Sequence, residues 1–121
     1  MDSANLNSDY MAPARFCALE YKSSDRNRLG PAEPLIIAVL IMPAEDGLLL
    51  LVHPNWKQLI ASEDDSYLQA LFDDLKERAI VDPDGVFKQV SFLSVGPLIT
   101  HATGTVARAD LLERWKGFCE F

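Results

Sequence analysis

Two apolar segments joined by a short polar loop constrain the fold of this chain more than any other feature. Residues 35–42 (LIIAVLIM) and 48–52 (LLLLV) flank the loop Pro43-Ala44-Glu45-Asp46-Gly47. Aliphatic and β-branched runs of this length, separated by a loop that contains Pro and Asp-Gly, are typical of a pair of neighbouring strands. Because 35–42 carries no polar side chain on either face, we expect this strand to be central and covered on both sides.

Three other segments have the pattern of strands. The alternation in 15–22 (RFCALEYK) predicts a half-buried strand, with Ala18 and Glu20 on its outer side. Residues 87–95 (FKQVSFLSV) predict another strand, and 98–108 (LITHATGTVAR) predict a strand bent at Gly104.

Helical spacing of apolar residues predicts three helices, of which the first two follow one another directly. Trp56, Leu59 and Ile60 predict a short helix, and the acids at 63–65 suit the first turn of a longer one. The sequence 82–85 (DPDG) predicts a turn after it. Residues 110–113 (DLLE) resemble a capping box, which predicts the start of the last helix.

The order β-β-β-α-α-β-β-α predicts a single two-layer α+β domain at 14–121, preceded by an N-terminal arm at 1–13. The domain would be a mostly antiparallel sheet of about five strands, covered by helices on one face. The helices are too few to cover the second face of the central strand, so we expect a homodimer that packs sheet against sheet.

Charge is distributed unevenly along the chain. The net charge is −7, and residues 63–84 contain eight acids against two cations. This acidity argues against nucleic-acid binding, which needs a basic surface. The cluster, with Asp73 and Asp74 at its centre, is typical of a solvated helix face, and the alternative is a docking surface for a basic partner.

No targeting or membrane segment is visible. The longest apolar run has eight residues, short of the roughly 20 that cross a bilayer, and the N-terminus lacks the pattern of a secretory signal. Two cysteines, Cys17 and Cys119, are too few for a disulfide scaffold, and their apolar neighbours predict buried free thiols. We therefore expect a cytoplasmic protein that does not bind membranes.

No motif for catalysis, nucleotide binding or metal binding is present, so no cofactor and no metal is predicted. The two histidines, His53 and His101, have no ligand at metal-binding spacing. A thiol–imidazole pair of Cys17 with either histidine is a minor alternative to a buried, inert thiol.

Two hypotheses on function remain. The first is a protein-interaction or assembly module that associates with itself or a partner through Arg26 and Arg28 in a long polar loop, through the N-terminal arm, or through the acidic helix at Asp73 and Asp74. The second is a small-molecule-binding domain or small enzyme with a histidine in its pocket. The lining of that pocket would be His53, Trp56, His101 and Thr103, with Arg28 holding an anion. We prefer the first because no catalytic set is visible.

Overall fold

A computed structural model of the protein describes residues 12–22, 34–43, 47–92, 94–95 and 97–121, which form an antiparallel sheet with helices packed against it. The strands are β1 (Pro13–Tyr21), β2 (Ile36–Pro43), β3 (Leu49–Val52), β4 (Ser94–Val95), β5 (Leu98–Ala107) and β6 (Cys119–Glu120). The helices are α1 (Trp56–Leu59), α2 (Ser62–Val81), α3 (Pro83–Ser91) and α4 (Arg108–Arg114). The strand order is β4-β5-β1-β2-β3-β6. The predicted α+β class is confirmed.

The two apolar segments pair as the sequence predicts. β2 and β3 run antiparallel, with Ala38 opposite Val52 and Ile41 opposite Leu49. β2 lies between β3 and β1, and its residues from Ile37 to Ile41 are all 0 % exposed. The prediction of a central strand buried on both faces is confirmed; loop residues 44–46 lie outside the described part of the chain.

One side of the sheet, called here the three-helix face, packs against α1, α2 and α3. The rings of Trp56 on α1 and Phe72 on α2 meet edge to face at 5.0 Å, which fixes the two helices against each other. The buried residues of this cluster include strand positions Cys17, Leu19, Tyr21, Ala38, Leu40, Leu50 and Val52 and helix positions Leu68, Leu75, Val86, Phe87 and Val90. Each large aliphatic side chain buried here contributes about 1.5–3 kcal/mol.

The opposite side, called here the α4 face, is covered by the C-terminal part of the same chain. Leu111 on α4 is 0 % exposed, and Trp115 and Phe118 pack beside it. The strand residues in this second cluster are Ala14, Phe16, Ala18, Val39, Ile41 and Leu51. The apolar second face of β2 therefore needs no other copy of the chain to cover it, because α4 and the residues after it already do so.

β1 is not half-buried as the alternation predicts. Ala18 is 1 % exposed and Glu20 is 9 % exposed, although both were expected on an outer side. The reason is position: β1 lies between β5 and β2, and the α4 face is covered as well. One carboxylate is thereby placed inside the protein.

The predicted strand at 87–95 is wrong, since most of it belongs to α3. Asp82 caps this helix by accepting a hydrogen bond from the Gly85 backbone N–H at 3.1 Å, and Pro83 occupies the first turn. The DPDG sequence that predicts a turn therefore begins a helix. Val86, Phe87 and Val90 are buried at helical spacing, and the strand character survives only in β4.

Two smaller expectations also change. α4 begins at Arg108, two residues before Asp110, and in the described part of the chain its N-cap residue Ala107 makes no side-chain cap. The irregularity of β5 is not at Gly104: the register with β1 shifts where Ala18 pairs with Ala102 and Leu19 pairs with Thr100. His101 is the extra residue, and such an insertion is a β-bulge.

We predict that Val39→Asp unfolds the protein, because it places an unpaired charge at a position that is 0 % exposed. The expected loss in the free energy of unfolding is at least about 4 kcal/mol. Denaturant titration followed by circular dichroism measures it, and Gln58→Asp, at an exposed position of α1, is the control that should change little. A cooperative, nearly wild-type transition for Val39→Asp would contradict this core.

Candidate functional site

The bulge in β5 brings His101 against a buried carboxylate. Glu20 lies on β1 between Leu19 and Tyr21, which face the three helices, so its own side chain points to the α4 side. The His101 Nδ1 donates a hydrogen bond to Glu20 Oε1 at 3.2 Å. The side chains of His101 and Glu20 are 38 % and 11 % exposed, so the carboxylate is inside and the ring reaches the surface.

This geometry orients the imidazole. A carboxylate bonded to Nδ1 fixes the ring plane and tautomer, which leaves Nε2 as the nitrogen available to a ligand or a proton. The hydrogen bond also gives the buried Glu20 carboxylate a polar partner, which a buried charge needs. The sequence shows no sign of this pair because 81 positions separate the two residues, and because only the bulge turns His101 toward Glu20.

The other residues of the predicted pocket lie elsewhere. The His53 Nδ1 accepts from the Asn55 backbone N–H at 3.0 Å, and the ring lies 5.5 Å from that of Phe118 on the α4 side. Trp56 is buried in the cluster of the three-helix face. β1 and β2 separate β3, which precedes His53, from β5, which carries His101, and neighbouring strands are about 4.8 Å apart. The predicted set is therefore spread over both faces of the sheet.

The remaining predicted positions are on the surface or outside the described residues. Thr103 is exposed on β5, opposite Cys17 of β1. Arg26 and Arg28 lie outside the described part of the chain, as does the arm up to residue 11. Asp73 accepts from Gln69 and Asp74 pairs with Arg78 at 2.9 Å, both within α2. These are short-range pairs along one exposed helix face.

Cys17 is buried among apolar groups and does not face either histidine. Its Sγ lies 3.8 Å from the Val90 carbonyl oxygen and 4.0 Å from Thr100 Oγ1, both on the three-helix side. Burial raises the pKa of the Cys17 thiol, and the Thr100 hydrogen bond only partly offsets this. The buried free thiol predicted for Cys17 is confirmed. Cys119, also free, is exposed on β6, so the burial predicted for it is wrong.

A charged cluster joins β1 to α3. The Arg15 guanidinium bonds the Asp84 carboxylate at 2.8 Å and lies 5.0 Å from the Phe87 ring, while Lys88 approaches the other oxygen of Asp84 at 3.3 Å. The hydrogen bonds from Arg15 and Lys88 hold the pKa of Asp84 below its ordinary value. Asp84 is thus held by a cation from β1 and a cation from its own helix, which makes this cluster a structural link between β1 and α3.

The two edges of the sheet differ in how they are protected. On one side, β6 pairs with Leu51 and Val52 of β3, and the Phe121 backbone N–H donates to the Leu50 carbonyl. On the other side, β4 pairs only with Leu98 and Ile99 of β5. Within the residues described, no strand pairs with the outer side of β5 at 101–107, which we call the open β5 edge.

An apolar groove lies near the protected edge. It encloses about 280 Å³ between the floor formed by Leu40 and Leu50 and the end of α2 at Ala79 and Ile80. Ile80 is 79 % exposed beside it. The sequence indicates the apolar character of these residues but not the gap between them.

Two searches of the described residues give a negative result. They contain no group of three or more His, Cys, Asp or Glu side chains arranged to hold a metal ion. No helix among them is long and apolar enough to cross a membrane.

Comparison of the chain with protein-family models, with curated proteins and with solved structures gives no match.

We predict that the two thiols differ strongly in reactivity. Cys119 is exposed and should react at once with a disulfide reagent such as Ellman's reagent, whereas Cys17 should react only as the protein unfolds. The Cys119→Ser variant should therefore show no fast thiol under native conditions and one thiol in denaturant. A fast thiol in that variant would contradict the burial of Cys17.

Proposed function

We propose that this protein is a protein-interaction or assembly module that acts by self-association. The observation that carries the proposal is the open β5 edge. An unpaired strand edge presents backbone N–H and C=O groups that another strand can pair with.

The composition of this edge supports association. Folded proteins usually block a free edge with charged residues, Pro or a very short strand. The β3 side follows this rule, because its outermost strand β6 has two residues and includes Glu120. The open β5 edge has the sequence HATGTVA, which contains no Lys, Arg, Asp, Glu or Pro. Thr and Val also have a high preference for strands.

The location of the acids gives further support. The net charge of −7 opposes the approach of two copies wherever the acids face each other. Six of the 18 acids lie on α2, and the open β5 edge at 101–107 carries none. Pairing along this edge therefore brings no carboxylate of the edge itself against its copy. The two free thiols are in keeping with the cytoplasmic location that forms part of this proposal.

We predict a mass that rises with protein concentration in sedimentation velocity, from monomer toward dimer. The double change Thr103→Lys with Thr105→Lys should weaken the dimer at least about tenfold, because it brings like charges together at the edge. Both side chains are exposed, so the monomer should fold normally.

The matched control is Gln58→Lys together with Ser62→Lys, which adds the same charge at exposed positions on α1 and α2. It should associate like the wild type. A wild-type protein that stays monomeric at all concentrations would contradict the proposed function.

One observation favours a second function, the small-molecule-binding domain or enzyme. Glu20 is buried and holds the His101 ring by Nδ1, an arrangement found where a histidine transfers protons or binds a ligand through Nε2. In this proposal His101 is the residue that touches the ligand and Glu20 positions it. His53 takes no part, since it contacts Phe118 at the far side of two strands.

We predict for this second function that native mass spectrometry of the purified protein shows a defined extra mass. His101→Ala should lose it, because Nε2 is the contact atom, and His53→Ala should retain it. The protein mass alone in the wild type, or an adduct that survives in His101→Ala, would count against this site.

A further inference from the structure

We infer that a second copy of this chain pairs with β5 in antiparallel register about a two-fold axis at Gly104, which joins the two sheets into one continuous sheet. The inference rests on the proposed self-association and specifies its geometry. The open β5 edge is the surface involved, and its occupant is the same edge of the second copy.

Symmetry restricts the possible registers. Two identical strands that pair antiparallel are related by a two-fold axis perpendicular to the sheet. Residues that face each other across such a pair must point to the same side of the sheet. Because side chains alternate along a strand, two facing residues must be an even number of positions apart in the sequence. The two-fold axis therefore lies level with one residue, which faces its own copy, and not midway between two residues of the strand.

The extent of the open edge selects the residue. β4 pairs with Leu98 and Ile99 at one end, and α4 begins at Arg108 at the other. The remaining stretch, 101–107, has Gly104 at its centre. An axis there uses the greatest length of open edge without displacing β4, and it places Thr103 opposite Thr105 of the second copy.

The chemistry of the facing residues suits this pairing. Thr103 and Thr105 are exposed on the same side of β5, and Thr–Thr pairs across strands are favourable. Gly104 lies level with the axis, and a side chain there would point to the α4 face. The Phe16 ring of β1 occupies that space, since a Cβ on Gly104 would come within 2.9 Å of Phe16 Cε1. Because glycine has no side chain, the two copies of Gly104 can face each other across the axis without a steric clash.

The interface is small. It consists of one strand pair, and stable complexes bury about 1,600 Å² in total. We therefore expect a dimer that dissociates on dilution.

Disulfide trapping tests the register directly. In a Cys119→Ser background, Thr103→Cys and Thr105→Cys are prepared separately, and Ser62→Cys serves as an exposed control. Facing residues of an antiparallel pair have Cα atoms about 4.5–5.5 Å apart, which a disulfide spans. Each sample is oxidised with oxidised glutathione at a concentration where the wild type is dimeric, and the covalent dimer is quantified by mass spectrometry.

An equimolar mixture of Thr103→Cys and Thr105→Cys should give mainly the mixed disulfide, several-fold above either variant alone and above Ser62→Cys. Cross-linking at the control level overturns β5 pairing. Efficient cross-linking of Thr103→Cys with itself overturns the axis at Gly104. Either result leaves the proposed function standing if sedimentation still shows a dimer, whereas a wild type that never dimerises overturns both.

Discussion

The whole structure depends on the burial of β1 and β2 on both faces. A strand with no exposed side can be stable only if separate parts of the chain cover its two faces. Here α1, α2 and α3 cover one face and α4, with Trp115 and Phe118, covers the other. The C-terminal segment is therefore an integral part of the core, and it continues into β6, which protects the β3 edge.

The same arrangement explains why a carboxylate is inside the protein. A second covered face leaves Glu20 with little access to water, and a buried charge needs a partner. The bulge at His101 supplies that partner from the neighbouring strand. A distortion of the ladder, a buried acid and an oriented histidine thus form one local arrangement, on which the second functional candidate is based.

The two edges of the sheet differ in pairing and in composition. The β3 edge ends in a two-residue strand with a glutamate, whereas among the described residues nothing pairs with the outer side of β5 over the uncharged stretch 101–107. Our proposal of self-association through β5, and not through the acidic helix, rests on this difference between the two edges.

The amino-acid sequence alone determined the α+β class, the β2–β3 hairpin, the long strand β5 and the helices α1 and α2, because hydrophobic periodicity and turn residues act locally. It failed at 87–95, where a short amphipathic segment fits both a strand and a helix, and only packing of Val86, Phe87 and Val90 against the sheet decides between them. The sequence points to His101 as a candidate ligand residue, but the alternation in β1 predicts Glu20 on the outside, where the structure instead pairs it with His101. The sequence also groups His53 and Trp56 with His101, whereas the sheet keeps them apart. Strand order, the bulge and the open edge arise from contacts between segments distant in sequence, so only the tertiary structure decides which side chains meet and which edge stays free.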